Sequence, residues 1–298
     1  MKVTNYLVTD VFAAEALAGN PLAVVFQTAA MSTEEMQSIA REFNLSETTF
    51  VERRDAGVER SEGVRVRIFT TQEELNFAGH PTLGTASMLR RVAPEVVRDN
   101  AVTLALNVGP ITVEFEEGAD FGTMTQRDPE FGRFLDSAKV AELIGVPVEA
   151  INPDHPPQVV STGTAFAIVL LDSLEALAHL RVLHEEAAPW LREAGGRWFY
   201  VVAPTGTRTA DGKREFRARM QFYGGEDPAT GSAAGCCISF LVGSGVVESD
   251  EQILVHQGIE IGRPSEIHLS AKRTEAKVSR VRVGGSTVLV AKGQLFLP

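Results

Sequence analysis

Cysteine is nearly absent. The chain has 298 residues and two cysteines, the adjacent Cys236 and Cys237. An adjacent pair is no disulfide framework and fits a reducing compartment. Long apolar runs are missing as well. The longest, Ala165 to Leu171, is far too short to span a bilayer. Met1 to Phe12 carries Asp10 and lacks the apolar stretch of a signal peptide. These features predict a cytoplasmic protein that does not engage a membrane. Basic charge is in deficit, with 28 Lys and Arg against 39 Asp and Glu, a net charge of −11. Such a surface repels phosphate backbones and argues against a nucleic-acid partner. A local nest of N–H groups can still hold a small anion against that field. The six histidines, His80, His155, His179, His184, His256 and His268, show no metal-ligand spacing. No Gly-x-Gly-x-x-Gly follows a strand, and no phosphate-loop lysine follows a glycine-rich turn.

What is present is an ordinary globular composition, 44% hydrophobic and 22% charged. That length allows one large domain or two of about 150 residues. Gly19-Asn20-Pro21-Leu22-Ala23-Val24-Val25-Phe26 is echoed by Gly163-Thr164-Ala165-Phe166-Ala167-Ile168-Val169-Leu170. Pro81-Thr82-Leu83-Gly84-Thr85-Ala86 is echoed by Pro228-Ala229-Thr230-Gly231-Ser232-Ala233. Both offsets are close to half the chain. They suggest a duplicated unit, or a coincidence of two glycine-containing patterns.

Short β-branched runs predict strands at Tyr6–Phe12, Leu22–Phe26, Thr48–Val51, Val64–Phe69, Val102–Leu106 and Ile111–Phe115. In the second half they fall at Gln158–Ser161, Ala165–Leu171, Trp198–Ala203, Phe216–Phe222, Glu260–Ile261, Ile267–Leu269, Ala276–Val283 and Thr287–Val290. Few have a long helix between them, which favours antiparallel or mixed sheets and an α+β fold. Ser32-Thr33-Glu34-Glu35 reads as a capping box, with Met36, Ile39, Ala40 and Phe43 on one face of the helix that follows. Two further helices should begin near His80 and near Ser232. Both are almost uncharged in their first turns, as a buried helix is. Shorter helices are expected at Val140–Ile144 and Ala187–Ala194. The segment from Gln126 to Phe134 reads as a linker.

Three loops could carry chemistry. Gly224-Gly225-Glu226-Asp227-Pro228-Ala229-Thr230-Gly231-Ser232 runs into a helix start, where free N–H groups and the helix dipole favour an anion. It can equally be a tight turn capped by Ser232. Phe77-Ala78-Gly79-His80-Pro81-Thr82 leads into the matching helix of the first half. His80 there is a structural hydrogen-bonder or a proton carrier. In Leu45-Ser46-Glu47-Thr48-Thr49-Phe50, Glu47 is either a solvated carboxylate or, in its mostly uncharged surroundings, one with a raised pKa suited to acid/base work. Cys236 and Cys237 read as small buried hydrophobes.

Six motifs occur in order: Gly19-Asn20-Pro21, Leu45-Ser46-Glu47-Thr48, Arg67-Ile68-Phe69-Thr70, Gly79-His80-Pro81-Thr82-Leu83-Gly84, Gly225 to Ala233, and Gln257-Gly258 with Gly262-Arg263-Pro264-Ser265. Together they resemble the phenazine-biosynthesis PhzF-like family from near the N-terminus to about residue 265. The resemblance implies a diaminopimelate-epimerase-like fold. That fold has two similar domains, each a sheet wrapped on a central helix, with the active site in the cleft between them. It places residues 1–125 with 288–298 in one domain and 126–287 in the other. It implies a cofactor-independent isomerase acting on a small unsaturated or cyclic carboxylic acid, and a homodimer. In the phenazine pathway the family enzyme isomerises a dihydro-hydroxyanthranilate. By resemblance Glu47 is the acid/base, His80, Asp227 and Ser232 are its polar partners, and Gly79 and Gly231 are backbone donors to the substrate carboxylate. Racemases and epimerases of this fold use a cysteine pair instead. Ala78 and Asp227-Pro228 stand at the corresponding places here and offer no thiol, which argues against two-base cysteine racemisation. An epimerase or racemase of the same fold, or a non-catalytic small-acid binder, is the alternative reading. Thr71 departs from the family's usual proline after Phe-Thr, which loosens the loop before the His80 helix.

Overall fold

The computed structural model describes residues 2–27, 29–222, 225–275 and 277–297. Gly224 of the glycine-rich loop, Ala276 at the start of one expected strand, and the terminal residues Met1 and Pro298 lie outside the described residues. The chain divides into two compact units, Met1–Thr125 with Gly284–Pro298, and Gln126–Val283.

In the first unit the elements run β1 (Lys2–Val11), β2 (Asn20–Phe26), α1 (Thr33–Phe43), β3 (Glu47–Glu52), α2 (Ala56–Glu62), β4 (Val64–Phe69), β5 (Glu74–Leu75), α3 (Gly79–Val92), β6 (Ala101–Leu106), β7 (Gly109–Phe115) and β8 (Phe121–Thr125). β1 pairs antiparallel with β2, β2 parallel with β3, β3 antiparallel with β4, β4 parallel with β6, and β6 antiparallel with β7. Each parallel pair needs a crossover. α1 lies in the first crossover and α3 in the second. α1 starts on the expected capping box, with Ser32 and Glu35 satisfying each other's backbone N–H. Its Met36, Ile39 and Ala40 pack on Val25, Phe50 and Phe69, on the outer face of the sheet.

α3 occupies the other face. Every residue from Gly79 to Leu89 is buried, and the helix touches β1, β2, β3, β6, β7 and β8. Such close approach requires a small residue. A Cβ on Gly84 would stand 2.6 Å from a Val11 methyl and 2.7 Å from a Leu22 methyl.

The second unit runs β9 (Glu130–Phe134), α4 (Ser137–Ile144), β10 (Gln158–Ser161), β11 (Ala165–Leu170), α5 (Leu174–Ala178), α6 (His184–Ala194), β12 (Trp198–Arg208), β13 (Arg214–Arg219), β14 (Gln221–Phe222), β15 (Gly225–Glu226), α7 (Gly231–Gly243), β16 (Ile253–Gln257), β17 (Ser265–Arg273) and β18 (Val278–Leu297). Only the first residues of β18 belong to this unit. From Gly284 onward β18 belongs to the first unit, where it pairs with β1 and lies beside β8, closing that unit's sheet on itself.

The pairing sequence of the first unit recurs in the second. β10–β11 is antiparallel, β11–β12 parallel, β12–β13 antiparallel, β13–β16 parallel and β16–β17 antiparallel. α7 lies in the second crossover, as α3 does, and is buried from Gly231 to Val242. The halves therefore repeat one topology. β2 matches β11, as the first sequence echo suggested. The second echo was misaligned, because the helices start at Gly79 and Gly231, so Pro81 does not correspond to Pro228.

Other expectations need correction. The segment from Gln126 to Phe134 is no linker: it contains β9, an exposed strand paired to β10. Every residue of this strand is exposed, and it lacks the apolar run that marks buried strands. Glu260–Ile261 is a 3₁₀ turn flanked by left-handed Gly258 and Gly262. The strands expected at Ala276–Val283 and Thr287–Val290 are one strand, β18, which continues through Gly284 and Gly285. β8, β16 and the helices α2 and α5 were not anticipated.

Candidate functional site

Glu47, His80 and Asn20 meet in the first unit. β2 and β3 are parallel neighbours, with Leu22 opposite Glu47, so Asn20 and Glu47 both lie at the starts of their strands. Side chains alternate across a strand. Thr49 bonds to Thr85 of α3 at 2.8 Å, which puts Glu47, two residues earlier, on the same α3-facing side. The first turn of α3 then supplies His80. Its Nε2 stands 3.4 Å from Glu47 Oε2, and its Nδ1 is 3.2 Å from the Asn20 amide nitrogen. The His80 side chain is 4% exposed and that of Glu47 16%.

This geometry sets the proton on His80. The Asn20 NH₂ group can only donate, so Nδ1 accepts and the ring's proton sits on Nε2, facing Glu47. Burial pushes the imidazole down to about 3, so it is neutral at pH 7. The neutral Nε2–H group faces the Glu47 carboxylate from 3.4 Å, outside hydrogen-bond geometry in this arrangement. Because the folded state refuses the proton that the unfolded state takes up below about 6.5, stability contributed by neutral His80 is lost as pH falls from about 6.5 towards 3. The slope is at most about 1.4 kcal/mol per pH unit. Urea titrations of wild type and His80→Asn across that window are expected to show a flatter pH dependence in the variant.

α3 starts after an extended Ala78, with no side-chain cap and no acidic residue in its first turn. Pro81 falls among the first-turn positions, where an N–H would lack an intrahelical partner anyway. The Gly79 and His80 N–H groups head this buried helix, and the positive end of the dipole favours an anion there.

The second unit holds Asp227, buried at 6% exposure. The residues around it are strongly tethered. Its N–H donates to the Met220 carbonyl at 2.9 Å. The preceding Glu226 takes both arms of the Arg219 guanidinium, at 2.9 and 2.6 Å, and Arg219 also donates to the carbonyls of Leu177 and Ala178. The Pro228 carbonyl accepts from the Ser265 hydroxyl at 2.8 Å. Gly258, at φ 76°, passes so close to Pro228 and Arg263 that no Cβ fits. Thr230 then donates to Asp227 Oδ2 at 2.7 Å, and α7 begins at Gly231. Ser232 is its second residue and not a cap; Thr230 holds the cap position without a side-chain cap bond. Gly231 and Ser232 therefore head a buried helix as Gly79 and His80 do.

The structure thus joins Glu47 to His80, and puts Asp227 beside the start of the helix carrying Gly231 and Ser232. The sequence reading gave no role to Asn20, Thr230, Gln257 or the Arg219–Glu226 pair. Asn20, Glu226, Thr230 and Gln257 did stand inside quoted motifs, which was the available signal; Arg219 did not. Cys236 and Cys237 are both fully buried. Burial raises the Cys236 thiol to about 11 and pushes Cys237 higher still, so neither is a ready thiolate base. Among the described residues, no group of three or more His, Cys, Asp or Glu could hold a metal ion, and no helix is long and apolar enough to cross a membrane.

The family model for phenazine biosynthesis-like proteins matches residues 9–293. An uncharacterized isomerase of Mesorhizobium japonicum is 36% identical over the whole length of both chains. The trans-2,3-dihydro-3-hydroxyanthranilate isomerase of Pseudomonas aeruginosa is 35% identical, covering 98% of this chain and 99% of its own. The crystal structure of a PhzF-family protein of Bacillus anthracis superposes with a TM-score of 0.84 at 25% identity, covering both chains fully. With the match extending across both repeats and both helix starts, the chain belongs to the phenazine biosynthesis-like family, and it is an isomerase.

Proposed function

We propose that this isomerase moves a proton between two carbons of a small unsaturated or cyclic carboxylic acid, with Glu47 as the acid/base and without a cofactor. The observation that carries the reading is the Glu47–His80–Asn20 arrangement, with Glu47 partly exposed and the other two buried. Glu47, as carboxylate, takes a proton from an activated carbon, exchanges it with solvent as the carboxylic acid, and delivers a proton to another carbon of the same conjugated system, so the composition of the substrate is unchanged. His80 faces that carboxylate with its Nε2–H. Asp227 and Ser232 are further candidates for polar groups of the substrate, and the N–H groups of Gly79 and of Gly231 each head a buried helix, a place that favours an anion. General acid/base transfer contributes about 10²–10⁴-fold, and positioning supplies much of the rest. A two-thiol mechanism is disfavoured by the buried, raised thiols of Cys236 and Cys237.

The name of the Pseudomonas aeruginosa relative supplies the first compound to test. The purified protein, treated with chelator, is incubated in deuterated water with trans-2,3-dihydro-3-hydroxyanthranilate and followed by mass spectrometry. The expected result is isomerised product carrying carbon-bound deuterium. Recovered acid without any carbon-bound deuterium would remove this compound from the reading.

A further inference from the structure

We infer that Thr230 and Gln257 are positioning residues that act through the Asp227 carboxylate, as a one-way hydrogen-bond chain running from Tyr200 to Asp227. The inference rests on the proposed role of Asp227 only for its effect on activity.

Gln257 ends β16 and is fully buried. Its amide has four hydrogen-bonding positions, and all four are filled. Oε1 accepts from the Tyr200 hydroxyl and from the Thr230 N–H, each at 3.1 Å. Nε2 donates to the Asp227 carbonyl at 2.8 Å and to Thr230 Oγ1 at 3.0 Å. Reversing the amide would set donor against donor at the Thr230 N–H and acceptor against acceptor at the Asp227 carbonyl. Its orientation is therefore determined by its partners.

The direction then propagates. Thr230 Oγ1 accepts from Gln257, so its single proton is free to point only at Asp227 Oδ2, 2.7 Å away. At the other end, Tyr200 is fully buried and its phenol is pushed well above its ordinary value, so it remains a donor. Tyr200 reaches Gln257 because β12 alternates. Phe199 and Val201 pack into the cluster under α4 and α6, and Tyr200 faces the other way. Every link is buried, where a hydrogen bond to a charged group is stronger and a missing one costs more. The chain keeps an O–H donor on the carboxylate and fixes its rotamer. A Thr or Ser is required at 230 because the residue must accept and donate at once.

The test is ¹³C-detected titration of the Asp227 carboxyl, assigned with Asp227→Asn, in wild type, Thr230→Val and Thr230→Ser. Valine keeps the shape and removes the hydroxyl; serine restores it. The expected result is an upward move of the Asp227 titration in Thr230→Val and recovery in Thr230→Ser, with both variants as cooperative in thermal unfolding as wild type. Gln257→Leu should move it in the same direction. An Asp227 titration unchanged by Thr230→Val, or a shift that Thr230→Ser does not reverse, would overturn the inference. Turnover of trans-2,3-dihydro-3-hydroxyanthranilate is measured beside it. If the titration moves and Asp227→Asn keeps full activity, the hydrogen-bond chain stands and the catalytic assignment of Asp227 falls.

Discussion

Glu47→Gln is expected to lower kcat/KM for the isomerised acid by about 10²–10⁴-fold, the contribution of a positioned acid/base. The replacement keeps the side-chain length and its hydrogen-bonding reach towards His80 Nε2, 3.4 Å away in the native protein. It removes the proton-carrying group alone. Stability should move little, because no buried ion pair is broken: His80 is neutral, with its imidazole lowered to about 3 by burial. The loss should fall on kcat, since the proton moves only in the transition state, and substrate binding should survive. Deuterium exchange into unreacted substrate should vanish with turnover. A variant retaining wild-type kcat with normal exchange would exclude Glu47 as the base. Glu47→Asp, one methylene shorter, should fall between the two, because reach limits proton transfer as much as acidity does.

The largest stability effect is expected at Arg219. Its side chain is 8% exposed and that of Glu226 is 6% exposed. The pair is bidentate, and Arg219 also satisfies two carbonyls at the end of α5. Removing one partner of such a pair leaves a buried charge without compensation. Arg219→Met should therefore cost about 3–5 kcal/mol in denaturant unfolding. That is a large share of the roughly 5–15 kcal/mol that holds a domain together. The double variant Arg219→Met with Glu226→Gln should be less destabilised than the two single changes added, because the orphaned charge is gone. Strict additivity would show that the pair is not energetically coupled. Activity should drop too, because Glu226 directly precedes Asp227 and the pair anchors that loop. Asp227→Asn should leave stability nearer wild type.

Much of this architecture was legible along the chain. β4 and β10 were read to the residue from apolar β-branched runs bounded by turns. α1 was announced by Ser32 and Glu35, a local signal that needs no tertiary context. β9 was not legible, because every residue in it is exposed and its pattern is that of a loop. The division of the last strand was misread because Gly284 and Gly285 ordinarily interrupt a run. Here Gly284 is needed where the backbone of Gly122 comes within 2.9 Å of any Cβ. The second echo was misaligned because Pro-x-x-Gly matches in sequence across a loop and a helix start alike.

For the site, sequence alone determined the inventory: a carboxylate in Leu45-Ser46-Glu47-Thr48, a histidine after Gly79, an aspartate before Pro228, and no thiol in their place. Residue type limits which chemistry is possible, and type is local. Only the tertiary structure decided the partnerships. That Asn20 places the His80 proton, and that Thr230 aims its own at Asp227, follow from distances across parallel strands and crossover helices. Glu47 and His80 are separated by more than thirty positions, and Gln257 and Asp227 by thirty. Contacts of that range are set by strand register and helix burial, and no short sequence window contains them.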